Sequence, residues 1–123
     1  MEMRPDTAAR ALAAVRLVNG ALGLVAPAVL LHGLGTDARA DRSGVYPFRM
    51  FGIRTVVLGV DLWTQRGAAG RDVRRRAVLI HGSDAVIAAV SGLRGDLPRR
   101  AALMTTTLST GNTVLALLAN RDA

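Results

Sequence analysis

Four apolar stretches, Ala11 to Leu31, Val45 to Trp63, Ala77 to Leu93 and Ala101 to Leu118, follow one another with lengths of 21, 19, 17 and 18 residues. A helix needs roughly 17 to 25 apolar residues to cross a hydrocarbon core. One such stretch constrains little, but four of matched length restrict the chain to few folds. The pattern predicts an all-α fold, an antiparallel up-down four-helix transmembrane bundle, with residues 1–123 as a single membrane domain. The connections HGLGTDARADRSG, TQRGAAGRDVRRR and RGDLPRR read as loops from their Gly, Asp, Pro and clustered Arg.

A water-soluble four-helix bundle acting as an interaction protein is the competing architecture, because mean hydropathy is only +0.30 and three of the four stretches carry charge. A soluble bundle gives each helix a continuous polar stripe. The segments AVIAAVSGL, VLALLAN and TVVLGV offer almost none, which favours lipid as the solvent.

All sixteen basic residues are Arg, against nine acidic ones, for a net charge of +7. Such a charge attracts nucleic acid or anionic lipid alike. Its placement between apolar stretches, with no aromatic interleaving and no reading helix, points to membrane lipid and away from nucleic acid. With no cysteine in the sequence, disulfides, thiolate metal sites and cysteine nucleophiles are excluded within the chain. The first stretch is too long and, at Arg16, too charged for a cleaved signal.

Arg4, Arg10, Arg66, Arg71, Arg74, Arg75, Arg76 and Arg121 fall on the side of the termini, and Arg39, Arg42, Arg94, Arg99 and Arg100 on the other. Positive charge marks the cytoplasmic side. The expected location is therefore the cell (plasma) membrane, multi-pass, with both termini cytoplasmic. Tyr46 and Trp63 frame the second stretch, where amphipathic rings settle at the interface.

Seven polar residues interrupt the apolar stretches: Arg16, Asn19, Arg54, Asp61, His81, Asp84 and Asn112. With alternating helix direction and about 1.5 Å of rise per residue, Arg54 and Asp84 fall near midplane. Arg16, Asp61 and His81 fall roughly 6 to 10 Å away on the side of the termini, together with Asn19 and Asn112. An ionisable group facing lipid is costly and is normally paired or wet. The set therefore predicts a polar pocket between helices, open to the cytoplasmic side. Arg16, Asn19, Gly20 and Gly23 share one helical face, and Thr105, Ser109 and Asn112 another. Arg49 lies near a helix end and snorkels, outside the pocket.

The expected ion pairs are Arg54 with Asp84 and Arg16 with Asp61. Such pairs have two uses, fixing helix register or holding a ligand. His81 and Asp84 are the candidate catalytic pair, an imidazole oriented by a carboxylate for proton transfer. A hydrogen bond between helices is the competing role for His81. Two His on separate stretches have no metal-ligand spacing, and GAAGR and GLGTDAR lack the Lys and strand of a phosphate loop; no metal and no cofactor is expected. HGSDA lacks the elbow of a serine hydrolase, and His32, beside Gly33, reads as a cap or loop residue.

VRLVNGALGLVAP, with Arg16, Gly20, Gly23 and Pro27, and FGIRTVVLGV, with Gly52, Arg54 and Gly59, resemble the first two helices of small bacterial four-helix membrane proteins of the DoxX-like group and neighbouring uncharacterised families. The resemblance covers about half the chain. It implies an up-down four-helix membrane bundle and transfers neither a reaction nor a catalytic residue.

The function expected from these observations is binding of a hydrophobic or amphiphilic small molecule, or of a membrane-protein partner, at the intramembrane pocket. The alternative is an enzyme performing acid-base chemistry, as an isomerase, cyclase or hydrolase, on a lipid-soluble substrate. Ala and Gly on the lipid-facing sides leave a homo-oligomer open.

Overall fold

The computed structural model describes residues 3–121. Every element among them is a helix: α1 (Pro5–Val25), α2 (Pro27–Gly33), α3 (Val45–Thr64), α4 (Gly67–Arg94) and α5 (Arg99–Ala119). Three of these, α1, α4 and α5, are long and apolar enough to cross a membrane. At 20 residues α3 has similar length, but it carries Arg49, Arg54 and Asp61.

Two boundaries correct the sequence reading. The first stretch was expected to be one helix over 11–31; it begins earlier, at Pro5, and breaks at Ala26 (φ −136°, ψ 60°) into α1 and α2. Proline has no amide hydrogen to donate and disfavours helical backbone in the residue before it, so Pro27 starts a second helix. The segment GAAGRDVRRR, read as loop, forms the first turns of α4. Arg is a good helix former, and clustered positive charge does not by itself break a helix. Gly95, at φ 79°, caps α4, and Pro98 precedes α5.

α1 packs most closely on α3, α4 on α5, and α1 touches α5 along a narrower strip. The first seam is made by glycine. A Cβ on Gly20 would lie 2.7 Å from the Val56 amide nitrogen and 2.9 Å from the Gly52 carbonyl oxygen; one on Gly23 would lie 2.8 Å from the Phe48 oxygen. Residue numbers rise along α1 as they fall along α3, so the two run antiparallel. Gly92 does the same for the other pair, where an added Cβ would lie 2.6 Å from Ala102 Cβ. Close backbone approach at small residues is how helices associate where no water drives them together.

The interior is small-sided. Its clusters are Leu12, Ala13, Leu62, Ala77 and Ala116, and Ala8, Ala9 and Ala119 near the helix ends. Apart from Leu12, Leu31 and Leu62, many large aliphatics point outward: Val25 is 79% exposed, Leu79 72% and Leu93 90%. Water would reverse that distribution, because burying bulky apolar side chains is its main driving force. Hydrocarbon removes the incentive.

At the end where α1 begins and α5 finishes, Arg74 joins three elements. Its Nη2 donates to Asp6 Oδ1 at 2.8 Å and its Nη1 to the Ala119 carbonyl at 3.2 Å, while Asn120 Nδ2 donates to the Arg74 carbonyl at 2.8 Å. At the same end Arg10 lies 5.9 Å from the centre of the Trp63 ring. In the 34–44 connection, Asp41 accepts from both the amide and the hydroxyl of Ser43, which lowers its carboxyl pKa.

Candidate functional site

Arg16 is the twelfth of the twenty-one residues of α1, and it is 3% exposed. Its Nε donates to His81 Nε2 at 2.8 Å, which ties α1 to α4 across 65 residues of chain. A ring nitrogen that accepts carries no hydrogen, so this bond requires the neutral imidazole with Nε2 unprotonated. His81 is itself 6% exposed.

The expected partnerships change accordingly. Among the described residues neither Arg16 with Asp61 nor Arg54 with Asp84 closes to an ion pair, whereas Arg74 pairs with Asp6. Arg16 is bonded to His81, and His81 is not bonded to Asp84. The cause is helical facing. His81 and Asp84 are three residues apart, and the turn that buries His81 against α1 leaves Asp84 exposed. Arg54 is likewise exposed, Asn19 and Asp61 are half-buried, and Asn112 is buried on α5 beside Ser109.

Arg16 and Asp61 nevertheless meet at one place. Both line a cavity of about 40 Å³ between α1, α3 and α4, walled by Leu58, Leu62, Val73, Ala77 and Ile80, with Arg76 also on its lining. Arg16 Nη2 is fully buried and has no hydrogen-bond partner, and the Asp61 carboxylate makes no hydrogen bond. The cavity is thus lined by two guanidinium-bearing residues, Arg16 and Arg76, and by one carboxylate, Asp61. Beyond Leu58 and Ile80, one turn further along each helix, stand Arg54 on α3 and Asp84 on α4. The charges of Arg16 and Arg54 both act on Asp84. α3 and α4 touch sparingly, so this polar row follows an open seam.

Arg76 and Arg74 were missed as site or latch residues, because their segment was read as loop. The signal was present: Val73, Arg76, Ala77 and Ile80 recur at three- and four-residue intervals, the spacing of a helix face. Among the described residues no group of three His, Asp or Glu could hold a metal ion.

Comparison with protein-family models, with curated proteins and with solved structures finds no match. The structure defines the class as an all-helical protein, among the described residues, with three helices long and apolar enough to cross a membrane.

Proposed function

We propose that this protein is an antiparallel four-helix membrane protein, α3 being the fourth span, which binds a small amphiphile with its polar head in the cavity beside Arg16 and its tail leaving through the α3–α4 seam. The observation that carries this reading is the cavity lined by Arg16, Arg76 and the unbonded Asp61, next to a guanidinium whose Nη2 is buried without a partner. A guanidinium in a low-dielectric interior is expensive to leave half satisfied, and a bound head group is one way to satisfy it. The outward aliphatics support the membrane assignment. The distribution of Arg supports cytoplasmic termini in the plasma membrane.

Catalysis at His81 and Asp84 is the less favoured reading. The Nε2 lone pair that a general base would use is engaged by Arg16, and Asp84 does not orient the ring. A membrane-protein partner could add to amphiphile binding on the exposed aliphatic faces.

The test is extraction of wild-type protein and Arg16→Leu, both purified from membranes in the same detergent, followed by mass spectrometry of the organic phase. An amphiphile retained by wild type and missing from Arg16→Leu is the expected result. Identical extracts would remove the ligand-binding reading. Release of the protein from membranes by a high-salt, alkaline wash would remove the membrane one.

A further inference from the structure

An open groove runs over the outer surface where α1 meets α3, lined by Ala14, Leu17, Val18, Val60, Trp63 and Thr64. None of these residues is charged, and the Thr64 hydroxyl turns back to donate to the Val60 carbonyl at 2.8 Å. The lining therefore offers apolar surface. The two helices run antiparallel, with Gly59 facing Arg16 and Leu17 and Gly20 facing Val56. Trp63 and Thr64 thus stand beside the first turns of α1, and Val18 lies at the deep end of the groove.

Charge enters at the shallow end. The Arg10 guanidinium carbon is 5.9 Å from the centre of the Trp63 ring, within the range at which an aromatic face attracts a cation. Arg66 is anchored to the same residue, its Nη1 donating to the Trp63 carbonyl at 2.8 Å. Asp6, one turn before Arg10, is bonded to Arg74, so that carboxylate is committed to another cation. From Arg10 to Val18 the chain rises about 12 Å along α1, and one leaflet of a hydrocarbon core is about 15 Å thick. The groove therefore has a cation and an interfacial ring at head-group depth, and apolar walls over most of one leaflet.

We propose that this groove is a binding site for an anionic phospholipid, whose phosphate accepts from the Arg10 guanidinium beside Trp63 and whose acyl chain lies along Leu17, Val18 and Val60. The site is separate from the Arg16 cavity; it rests on membrane insertion and not on ligand binding there. A guanidinium matches phosphate with paired N–H donors. A zwitterionic phospholipid also carries an ammonium, which would enter the repulsive field of Arg10 and Arg66, so a head group of net negative charge is preferred.

Trp63 is the sole tryptophan of the sequence, so its fluorescence reports on this groove. The test reconstitutes the full-length protein in vesicles of phosphatidylglycerol and phosphatidylcholine, with bromine near the glycerol end of the acyl chains of one lipid or the other. Quenching of Trp63 then gives the relative occupancy of the two. Wild type is expected to be quenched more by brominated phosphatidylglycerol than by brominated phosphatidylcholine at equal mole fraction. Arg10→Gln, at an exposed position, is expected to lower that preference about fivefold, the weight of one Arg at an anionic membrane surface. Arg71→Gln, which removes an exposed Arg outside the groove, is expected to leave it unchanged. Equal quenching by the two lipids in wild type would overturn the anionic assignment and leave membrane insertion standing. A preference that survives in Arg10→Gln, or that falls as much in Arg71→Gln, would overturn the site and assign the attraction to the charged surface as a whole. Quenching by neither lipid would put Trp63 outside the bilayer and overturn the membrane reading as well.

Discussion

Single residues carry most of the specificity in a fold whose interior is so small-sided. A Cβ at Gly52 would lie 2.6 Å from the Gly20 oxygen and would meet the Leu24 amide nitrogen more closely still. These are backbone atoms that cannot swing aside, so Gly52→Ala is expected to destabilise by about 1–3 kcal/mol, the usual cost of overpacking. Gly111, also within a helix, has nothing within 4 Å of an added Cβ, so Gly111→Ala should be neutral or stabilising by up to about 1 kcal/mol. Denaturation of both variants in the same detergent micelle tests the contrast; equal effects would mean that the α1–α3 seam is not close-packed. The Arg16–His81 bond makes a second residue-scale prediction. His81→Leu leaves a buried guanidinium nitrogen without its acceptor, at a cost of about 1–3 kcal/mol. The double variant Arg16→Leu, His81→Leu is expected to recover most of that, since replacing both partners with apolar groups can be nearly neutral. Additive losses in the double-mutant cycle would show that the two side chains are not coupled. That Arg16 and His81 are interior residues was legible in the sequence, because each interrupts an apolar run. Their mutual bond was not, since charge counting pairs Arg with Asp and takes no account of which turn faces which helix.

At the scale of elements, the apolar runs were legible as helices, and the lengths and ends of those helices were not. Apolar runs mark where lipid or core lies, but a helix continues past them as long as its backbone groups have partners and no proline intervenes. α4 therefore extends ten residues before Ala77, into Arg-rich sequence, and there supplies Arg74 to hold the ends of α1 and α5. Arg74→Ala is expected to speed amide hydrogen exchange in the last turn of α5 and the first turn of α1. The global melting midpoint should move little, because the contact is local and partly exposed. Unchanged exchange at both ends would show that the latch does not order them. Pro27 illustrates the opposite case: a single residue divided an apolar run that composition alone treats as continuous.

For the whole molecule, the absence of cysteine makes topology directly measurable, because single reporters can be introduced without background labelling. With an impermeant thiol reagent applied to intact cells, Ser43→Cys is expected to label and Gln65→Cys to remain protected until the membrane is opened; the reverse pattern would invert the orientation. What the sequence determined by itself was the class: helices, their approximate number, apolar runs of membrane-spanning length, and the identity of the polar residues that interrupt them. These follow from one-dimensional quantities, the length and composition of apolar runs, which set transfer free energies without knowledge of neighbours. The sequence also matched Arg54 with Asp84 and Arg16 with Asp61 in depth. Only the tertiary structure decided that Arg16 bonds His81, that Asp84 stays exposed, and that Arg16 and Asp61 share a cavity without touching. Depth is fixed by position along a helix. Contact depends on the rotation of each helix about its axis, and that rotation was set by where Gly20, Gly23, Gly52 and Gly59 let two backbones close.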